Sequence, residues 1–251
     1  MRARATMLLT MMSIAMSSAA VARAQAPAPR PFVAEYQVTY RGLNAGALAF
    51  QFAQDAANGR YAFETRADPS ALARLVVSSA ANERSIIEIN ADGVRPLEWR
   101  LDDGKSGDKG DGFLQFDWTQ GAATGRIEGE EVRIPTEPKL QDRLSIQIAV
   151  STALLAGQEP GEIPLIDDNR IKRYTYTRKE RTVLDSKLGP IDAVIYESTR
   201  PGSSRVSRMW LAPQFDYAPV RAEQIRKGKL ETVMVLTKWE ATGGQEVTGD
   251  W

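Results

Sequence analysis

Residues 32–65 read FVAEYQVTYRGLNAGALAFQFAQDAANGRYAFET, and their apolar and polar side chains alternate along the chain. In the first run one side of the backbone carries only apolar side chains, those of Ala34, Tyr36, Val38 and Tyr40. This pattern is typical of a β-strand that is buried on one face. The alternation resumes twice, each time after a turn rich in glycine and asparagine. The stretch therefore predicts three antiparallel strands in a meander.

The same period of two continues toward the C terminus. Further strands are predicted within residues 87–101, 114–118, 132–134, 170–178, 181–186, 191–198, 205–211 and 219–239. A short helix is predicted near residues 70–76, where Asp68-Pro69-Ser70 resembles a helix start. The chain shows no internal repeat and no linker. We therefore expect a mainly β protein with a single domain over residues 32–240, in which a curled antiparallel sheet forms an open, barrel-like roll.

Residues 140–156, LQDRLSIQIAVSTALLA, predict the one long helix. Asp142 is a candidate N-cap, and Gly157 suits a left-handed C-cap. Apolar side chains occupy most sides of this helix, which indicates a buried position. We expect the helix to pack against the concave face of the sheet, and its fit decides whether that face is open or plugged.

The N terminus has the features of a cleavable signal peptide over residues 1–24. A short basic stretch precedes a long uncharged run, and overlapping A-x-A sites place cleavage after Ala24 or after Ala26. Cleavage after Ala24 is favoured, because Pro27 would otherwise become the first mature residue. An uncleaved membrane anchor is the alternative, because the uncharged run reaches the lower length limit for crossing a bilayer.

We therefore expect a periplasmic protein that has no transmembrane anchor and, because the chain contains no cysteine, no lipid on an N-terminal cysteine. The proline-rich residues 25–31 are expected to be disordered, and residues 241–251 to form a flexible tail. The formal net charge of the whole chain is zero. This balance gives no general attraction to nucleic acid, so we expect no nucleic-acid partner.

The chain contains neither histidine nor cysteine. Their absence excludes Ser-His-Asp and Cys-His catalysis and the usual zinc, copper, haem and iron–sulfur ligands. We expect no cofactor, and we assign no catalytic residue and no metal ligand. Carboxylate chemistry, Ser-Lys dyads, tyrosine and hard-cation sites built from oxygen stay open.

Three features of the sequence are candidates for that chemistry or for a ligand cavity. The loop 102–112, DDGKSGDKGDG, partly resembles a phosphate loop, an S-x-x-K dyad and a calcium site, but an exposed hairpin loop explains its composition better. The acidic doublets Glu130-Glu131 and Asp167-Asp168 could each supply one member of a general-acid pair, but adjacent residues of a strand point to opposite faces, so neither doublet is itself a catalytic pair. Both are expected to lie in surface turns. Trp99, Trp118 and Trp210 are expected in the core.

The run 170–181, RIKRYTYTRKER, contains the candidate ligand-binding residues. On a strand Lys172, Tyr174, Tyr176 and Arg178 share one face, which suits an anionic glycan or a lipid headgroup. The alternative is an edge strand that its charges keep soluble. Two tyrosines of the first strand complete the candidate set, Tyr36 and Tyr40.

Four stretches, in this order, resemble the bacterial family called domain of unknown function 3108. They are EYQVTYRGLNAGAL, QDRLSIQIAV, LGPIDAVIYES and MWLAPQFDYAPVRAE, and the resemblance covers most of the chain from Phe32 to Trp239. It implies an exported envelope protein with a curled antiparallel sheet, loosely like the lipoprotein-carrier folds. It implies no reaction.

These observations lead to one main functional hypothesis and two alternatives. The main hypothesis is a non-catalytic periplasmic binding or envelope-assembly module that holds an apolar or amphipathic ligand, with a lipid, a glycan or an envelope protein as the partner. The first alternative is a carboxylate-dependent enzyme acting on envelope glycans, which requires two carboxyl groups in one cleft and a raised pKa for one of them. The second is a purely structural envelope protein.

Overall fold

The computed structural model describes residues 25–243 except 56, 76, 77 and 108. The predicted signal peptide lies outside these residues. Within them the chain forms one α-helix, α1 (Ser145–Leu155), and two 3-10 turns, Ala73–Leu75 and Pro213–Phe215. The strands are β1 (Phe32–Tyr40), β2 (Leu43–Gln54), β3 (Tyr61–Pro69), β4 (Asn82–Asn90), β5 (Gly93–Asp102), β6 (Gly112–Asp117), β7 (Ala122–Ile127), β8 (Glu130–Pro135), β9 (Glu162–Asp167), β10 (Arg170–Ser186), β11 (Gly189–Thr199), β12 (Arg205–Ala212), β13 (Ala218–Arg226) and β14 (Lys229–Ala241).

All of these strands belong to one sheet, in the order β8-β7-β6-β5-β4-β3-β2-β1-β14-β13-β12-β11-β10-β9. Every neighbouring pair is antiparallel. The first and last strands meet in the middle of the sheet, where Tyr36 lies opposite Leu236. The prediction of a mainly β fold with a curled antiparallel sheet is confirmed.

The two edge strands, β8 and β9, approach each other without pairing directly. The connection that follows β8 bridges them, because the N–H of Gln141 donates to the Pro164 carbonyl at 2.9 Å and the N–H of Ile166 donates to the Gln141 carbonyl at 2.9 Å. Ile134 of β8 and Ile166 of β9 also belong to one apolar cluster with Leu140. The sheet therefore curls into a roll that side chains and one connecting segment hold together.

Successive turns alternate between two ends of this roll, because all strand pairs are antiparallel. The Asp92 end contains the β4–β5 turn at residues 91–92. The Gly228 end contains the β13–β14 turn at residues 227–228, together with the β1–β2 turn and the β11–β12 turn.

Helix α1 lies inside the roll, as its apolar sequence predicts. Ile148 and the preceding Leu144 pack with the inner side chains of β1 to β5, whereas Ile146, Val150 and Leu154 pack with those of β9 to β12. The helix therefore fills much of the interior and joins the two halves of the core. No helix in the described part of the chain is long and apolar enough to cross a membrane.

The helix begins at Ser145, five residues after the predicted start at 140. Lys139 has a positive φ of 64°, and residue 141 pairs with β9, so the chain ahead of the helix is committed to other contacts. The carboxylate of Asp142 accepts the N–H groups of Leu144 and Ser145, each at 2.8 Å, and thus serves the helix start. Gly157 follows the helix with a φ of 70°, as a left-handed cap requires.

The segments outside the sheet also differ from the prediction. The helix expected near 70–76 is a 3-10 turn at Ala73–Leu75. Residues 25–31 have no regular secondary structure but lie against the roll: Gln25 and Ala26 donate to backbone carbonyls at the end of β4, and the guanidinium of Arg30 pairs with Asp216 at 2.8 Å. Strand β14 continues to Ala241, and the rest of the predicted tail beyond residue 243 lies outside the described residues.

Candidate functional site

The predicted ligand-binding residues of β10 face the interior of the roll. Lys172 is buried opposite Leu165, and Tyr174 lies opposite Ile163. Tyr176 lies opposite Ser198, and burial raises its pKa far above the ordinary value. Tyr174 and Tyr176 pack against the apolar cluster that side chains of α1 form with those of β9, β11 and β12, which accounts for their burial.

The ammonium group of Lys172 binds two carboxylates. Its Nζ lies 2.6 Å from Asp167 Oδ2 and 2.7 Å from Asp168 Oδ2, and the Tyr174 hydroxyl donates to the same Asp167 oxygen at 3.3 Å. Burial lowers the pKa of Lys172, but the two carboxylates outweigh it and the net pKa is raised. The acidic doublet lies at the exposed β9–β10 turn, as predicted, and its carboxylates bind the ammonium group of a buried lysine.

The far end of the β10 face has a second network, which is partly exposed to solvent. The Arg178 Nε donates to the Tyr196 hydroxyl at 2.9 Å, and that hydroxyl donates to Glu159 Oε2 at 2.8 Å. Arg178 also pairs with Glu159 Oε1 at 3.1 Å. The charged ends of Lys172 and Arg178 therefore both have partners within the chain.

The two tyrosines of β1 lie apart from this group. Four strands separate β1 from β10 in the sheet. Tyr36 is buried in the core with its ring edge against Phe50, at 5.0 Å between ring centroids, whereas Tyr40 is 47% exposed at the Gly228 end. The structure does not bring the six candidate residues into one site, and their role in ligand binding stays a prediction.

The acidic loop forms a cluster of its own. Carboxylate oxygens of Asp102, Asp103 and Asp111 lie within 4.8 Å of one another. Each of these carboxylates accepts a backbone N–H of residues 103–105. The hydrogen bonds give the carboxylates a structural role in the loop, as the hairpin interpretation predicts.

A pocket of about 910 Å³ opens at the Asp92 end. We call it the Asp92-end pocket. One wall is the face of α1 that carries Ala149, Thr152, Ala153 and Ala156, and small side chains on this face leave the space unfilled. The other walls are residues 91–95, 136–141, 158–160 and 25–27, together with Trp118 and Ile163. Trp118, expected in the core, therefore lines the pocket.

Three buried oxygens of residues that line the pocket have no hydrogen-bond partner in the described chain, namely Glu137 Oε1, Gln141 Oε1 and Thr152 Oγ1. Glu137 Oε1 lies 2.8 Å from Arg173 Nη1 in an ion pair, which leaves Gln141 Oε1 and Thr152 Oγ1 unpartnered. Gln141 is 1% exposed and Thr152 is 3% exposed. The side-chain amide of Gln141 donates to the carbonyls of Val94 and Lys139, at 2.9 and 3.2 Å, so its orientation is determined and its oxygen stays unpaired. The sequence gives only a weak signal for this pair: a glutamine, Gln141, just before an apolar helix and a threonine, Thr152, within it.

Asp142 is the carboxyl group to examine for acid–base chemistry, because burial raises its pKa to about 6. The side chain is enclosed and does not line the pocket. Its Oδ2 accepts the Ser85 hydroxyl at 2.6 Å, and its Oδ1 accepts the two N–H groups before the helix. Both oxygens are thus occupied in holding the start of α1 to β4.

A protein-family model described as "Protein of unknown function (DUF3108)" matches residues 35–235. The chain belongs to the DUF3108 family. The match spans the sheet from β1 into β14 and includes α1, so the whole roll described above is the family's domain. No curated protein matches this DUF3108 chain.

The comparison with solved structures found matches at low sequence identity. A β-barrel-like protein of the domain of unknown function DUF1849 from Brucella abortus is 13% identical, with a TM-score of 0.51, over 86% of this chain and 99% of that one. MucB is 10% identical, with a TM-score of 0.37, over 88% of this chain and 57% of its own. A putative exported protein with a YmcC-like fold from Bacteroides fragilis is 9% identical, with a TM-score of 0.36, over 85% and 97%. The first of these supports a barrel-like fold for the DUF3108 chain and carries no function.

Proposed function

We propose that this DUF3108 chain is an exported, non-catalytic binding protein of the cell envelope that holds an amphipathic small molecule in the Asp92-end pocket. Export rests on the signal-peptide pattern of residues 1–24. Binding rests on the pocket, whose volume is in the range of small-molecule sites.

The observation that carries the proposal is the pair of unpartnered oxygens, Gln141 Oε1 and Thr152 Oγ1. A buried polar atom without a partner costs about 1–3 kcal/mol, and folded proteins rarely keep one without a reason. Both residues line one pocket although their oxygens are enclosed, so the two atoms are explained together if a ligand that enters with a small shift of the lining supplies their partners. Gln141 Oε1 can only accept, so the ligand must present an N–H or O–H group to it.

The rest of the lining describes the other parts of this ligand. Ala149, Ala153 and Ile163 offer apolar contact, which suits a compact hydrocarbon portion. The exposed Lys139 and Glu159 lie at the pocket as well and suit polar substituents near solvent. A molecule with an apolar body and hydrogen-bond donors meets all of these surfaces.

The glycan-enzyme alternative has less support. It requires a carboxyl group with a raised pKa in the cleft, whereas Asp142, which has one, is enclosed and fully hydrogen-bonded. A purely structural role gives no account of the two unpartnered oxygens.

Extraction and mass spectrometry of the natively purified protein test the proposal. We expect a molecule to copurify with the wild type and with Ala47→Phe, a matched half-buried alanine on β2 away from the pocket. Ala153→Phe should fill the pocket and lose the molecule. Thr152→Val, which keeps the shape of the site, should retain at most about a tenth of it. A wild type that carries nothing, or equal amounts in all four proteins, would refute the proposal.

A further inference from the structure

Five cations gather at the Gly228 end of the sheet, and we call them the basic corner: Arg200, Arg205, Arg226, Lys227 and Lys229. They come from two adjacent turns, because Arg205 lies directly opposite Arg226, and Arg226 opposite Lys229. All but Arg200, which is half-buried, are exposed. Like charges placed directly opposite each other on a sheet are destabilising, so this arrangement costs stability.

No carboxylate within the described residues forms an ion pair with any member of the basic corner. Nearby cations of the same strands differ, because Arg208 pairs with Glu197 at 2.7 Å and Arg221 with Glu223 at 2.6 Å. Where β1 pairs with β14, Arg41 forms an ion pair with Glu231 at 3.1 Å. Ion pairing is thus common on this sheet and missing at its basic corner.

Exposed apolar side chains stand beside these cations. Leu230 follows Lys229 and is 48% exposed, and Tyr40 and Leu43 on the next two strands are 47% and 63% exposed. Tyr40 lies opposite both Leu43 and Thr232. Thr232 lies opposite Gln224, which shares a face of β13 with Arg226, whereas Leu230 lies opposite Ile225 on the other face. The N–H of Arg41 donates to the Glu231 carbonyl and joins the two turns. Arg205, Arg226 and Lys229 therefore share one face of this end with Tyr40 and Leu43, and Leu230 lies next to them at the turn.

We infer that this surface docks the protein on an anionic phospholipid membrane, with the basic corner against lipid phosphates and the tips of Tyr40, Leu43 and Leu230 in the interfacial layer. Interfacial binding combines these two ingredients, electrostatic attraction and shallow insertion of aromatic and aliphatic side chains. A soluble polyanion would use the cations but leaves the exposed leucines without a role. The Asp92-end pocket lies at the other end of the roll, so docking leaves it accessible and the inference does not depend on the proposed function.

Vesicle co-sedimentation tests this docking surface. The mature chain is mixed with vesicles of phosphatidylcholine containing about 30% phosphatidylglycerol, and with pure phosphatidylcholine vesicles. We expect binding to the anionic vesicles that weakens with salt. A triple variant, Arg226→Gln with Lys227→Gln and Lys229→Gln, should bind at least about 20-fold more weakly, since each lost cation near an anionic surface costs roughly fivefold.

The matched control is Arg60→Gln with Arg133→Gln and Lys187→Gln, which removes three exposed cations elsewhere on the roll. It should bind like the wild type, as should the pocket variant Ala153→Phe. Leu43→Ser with Leu230→Ser should weaken binding about tenfold and keep the salt dependence. The inference is overturned if the wild type does not bind the anionic vesicles or if both triple variants weaken equally. It is also overturned if the basic corner binds heparin and leaves vesicles unbound.

Discussion

Two polar regions of the roll differ in whether their polar groups have partners. One is the β10 network, by which we mean Lys172 and Arg178 with the side chains that bind them, and the other is the Asp92-end pocket. In the β10 network, Lys172 and Arg178 each bind carboxylates of the same chain. In the pocket, Gln141 Oε1 and Thr152 Oγ1 have no partner in the described chain. The highly charged run 170–181 thus forms ion pairs that stabilise the fold. The neutral side chains of Gln141 and Thr152, in contrast, have free hydrogen-bonding atoms that a ligand can use.

The largest expected effect comes from breaking the β10 network at its buried cation. Lys172→Met leaves Asp167 and Asp168 without their cation, and breaking a buried ion pair costs about 3–5 kcal/mol. Because Asp168 is half exposed, we expect about 2–3 kcal/mol lower free energy of unfolding in urea denaturation. Lys179→Met is the control, since the Lys179 side chain is 44% exposed and Glu197 keeps a second cation in Arg208, so this ion pair should contribute under about 1 kcal/mol. Equal losses in both variants would contradict the contrast between buried and exposed pairs.

The second prediction concerns Asp142, which joins the pocket helix to β4. Its pKa is about 6 in the folded protein and about 4 in the unfolded chain, so the folded state holds the proton more tightly. The free energy of unfolding should therefore fall as pH rises from about 4 to about 6, by roughly 2–3 kcal/mol through this group, and stay level above. Asp142→Asn keeps an acceptor for the helix N–H groups and cannot ionise. Urea denaturation at pH 4 and pH 7 should show a smaller difference for the variant, and superimposable pH profiles would refute the assignment.

The third prediction sharpens the comparison in the pocket itself. Thr152→Val removes an unpartnered hydroxyl at nearly constant shape, so the ligand-free protein should become more stable by up to about 1 kcal/mol. Ser85→Ala provides the contrast, because its hydroxyl donates to Asp142 at 2.6 Å and its loss should cost about 1–3 kcal/mol. Thermal unfolding of both variants measures the two signs. Destabilisation by Thr152→Val would show that the hydroxyl is already satisfied.

The smallest effect is expected at the outer end of the β10 network. Arg178 is 46% exposed and its partner Glu159 is 57% exposed, so solvent screens the pair. Arg178→Gln should lower the free energy of unfolding by about 0.5 kcal/mol, well below the loss for Lys172→Met. A loss as large as that of Lys172→Met in the same denaturation experiment would mean that burial does not set the ranking.

The strands that alternate cleanly could be predicted from the sequence, and two that do not were missed. Strand β9, EIPLID, has four consecutive buried residues, so no period of two is visible. Helix α1 covers one face of this strand, and β8 with the connection after it covers the other face. Strand β7, AATGRI, consists largely of small residues that pack under larger neighbours and gives almost no hydropathy signal. Both lie in the outer parts of the sheet, where tertiary contacts outweigh local pattern.

The candidate site was harder to predict, for a different physical reason. That Lys172, Tyr174, Tyr176 and Arg178 share one face of β10 follows from the alternation of side chains along a strand. The carboxylates that bind Lys172 and Arg178 come from other segments, from the end of β9 and from the loop after α1. The pocket arises where a helix face of small side chains leaves space against the β4–β5 turn. The size of this space depends on how α1 is placed in the roll, and the local sequence pattern does not encode that placement.

The pairing of β1 with β14 in the middle of the sheet has a consequence for the order of folding. These strands lie about as far apart in sequence as the chain permits, so their loop-closure entropy is large and their pairing is slow. Until β14 is available, β1 to β8 and β9 to β13 form two separate meanders, and the core face around Tyr36 is unprotected. In a chain truncated before Lys229, β1 and β13 therefore both lack their pairing partner and have exposed edges. We expect this chain to aggregate during refolding and not to fold as a smaller roll.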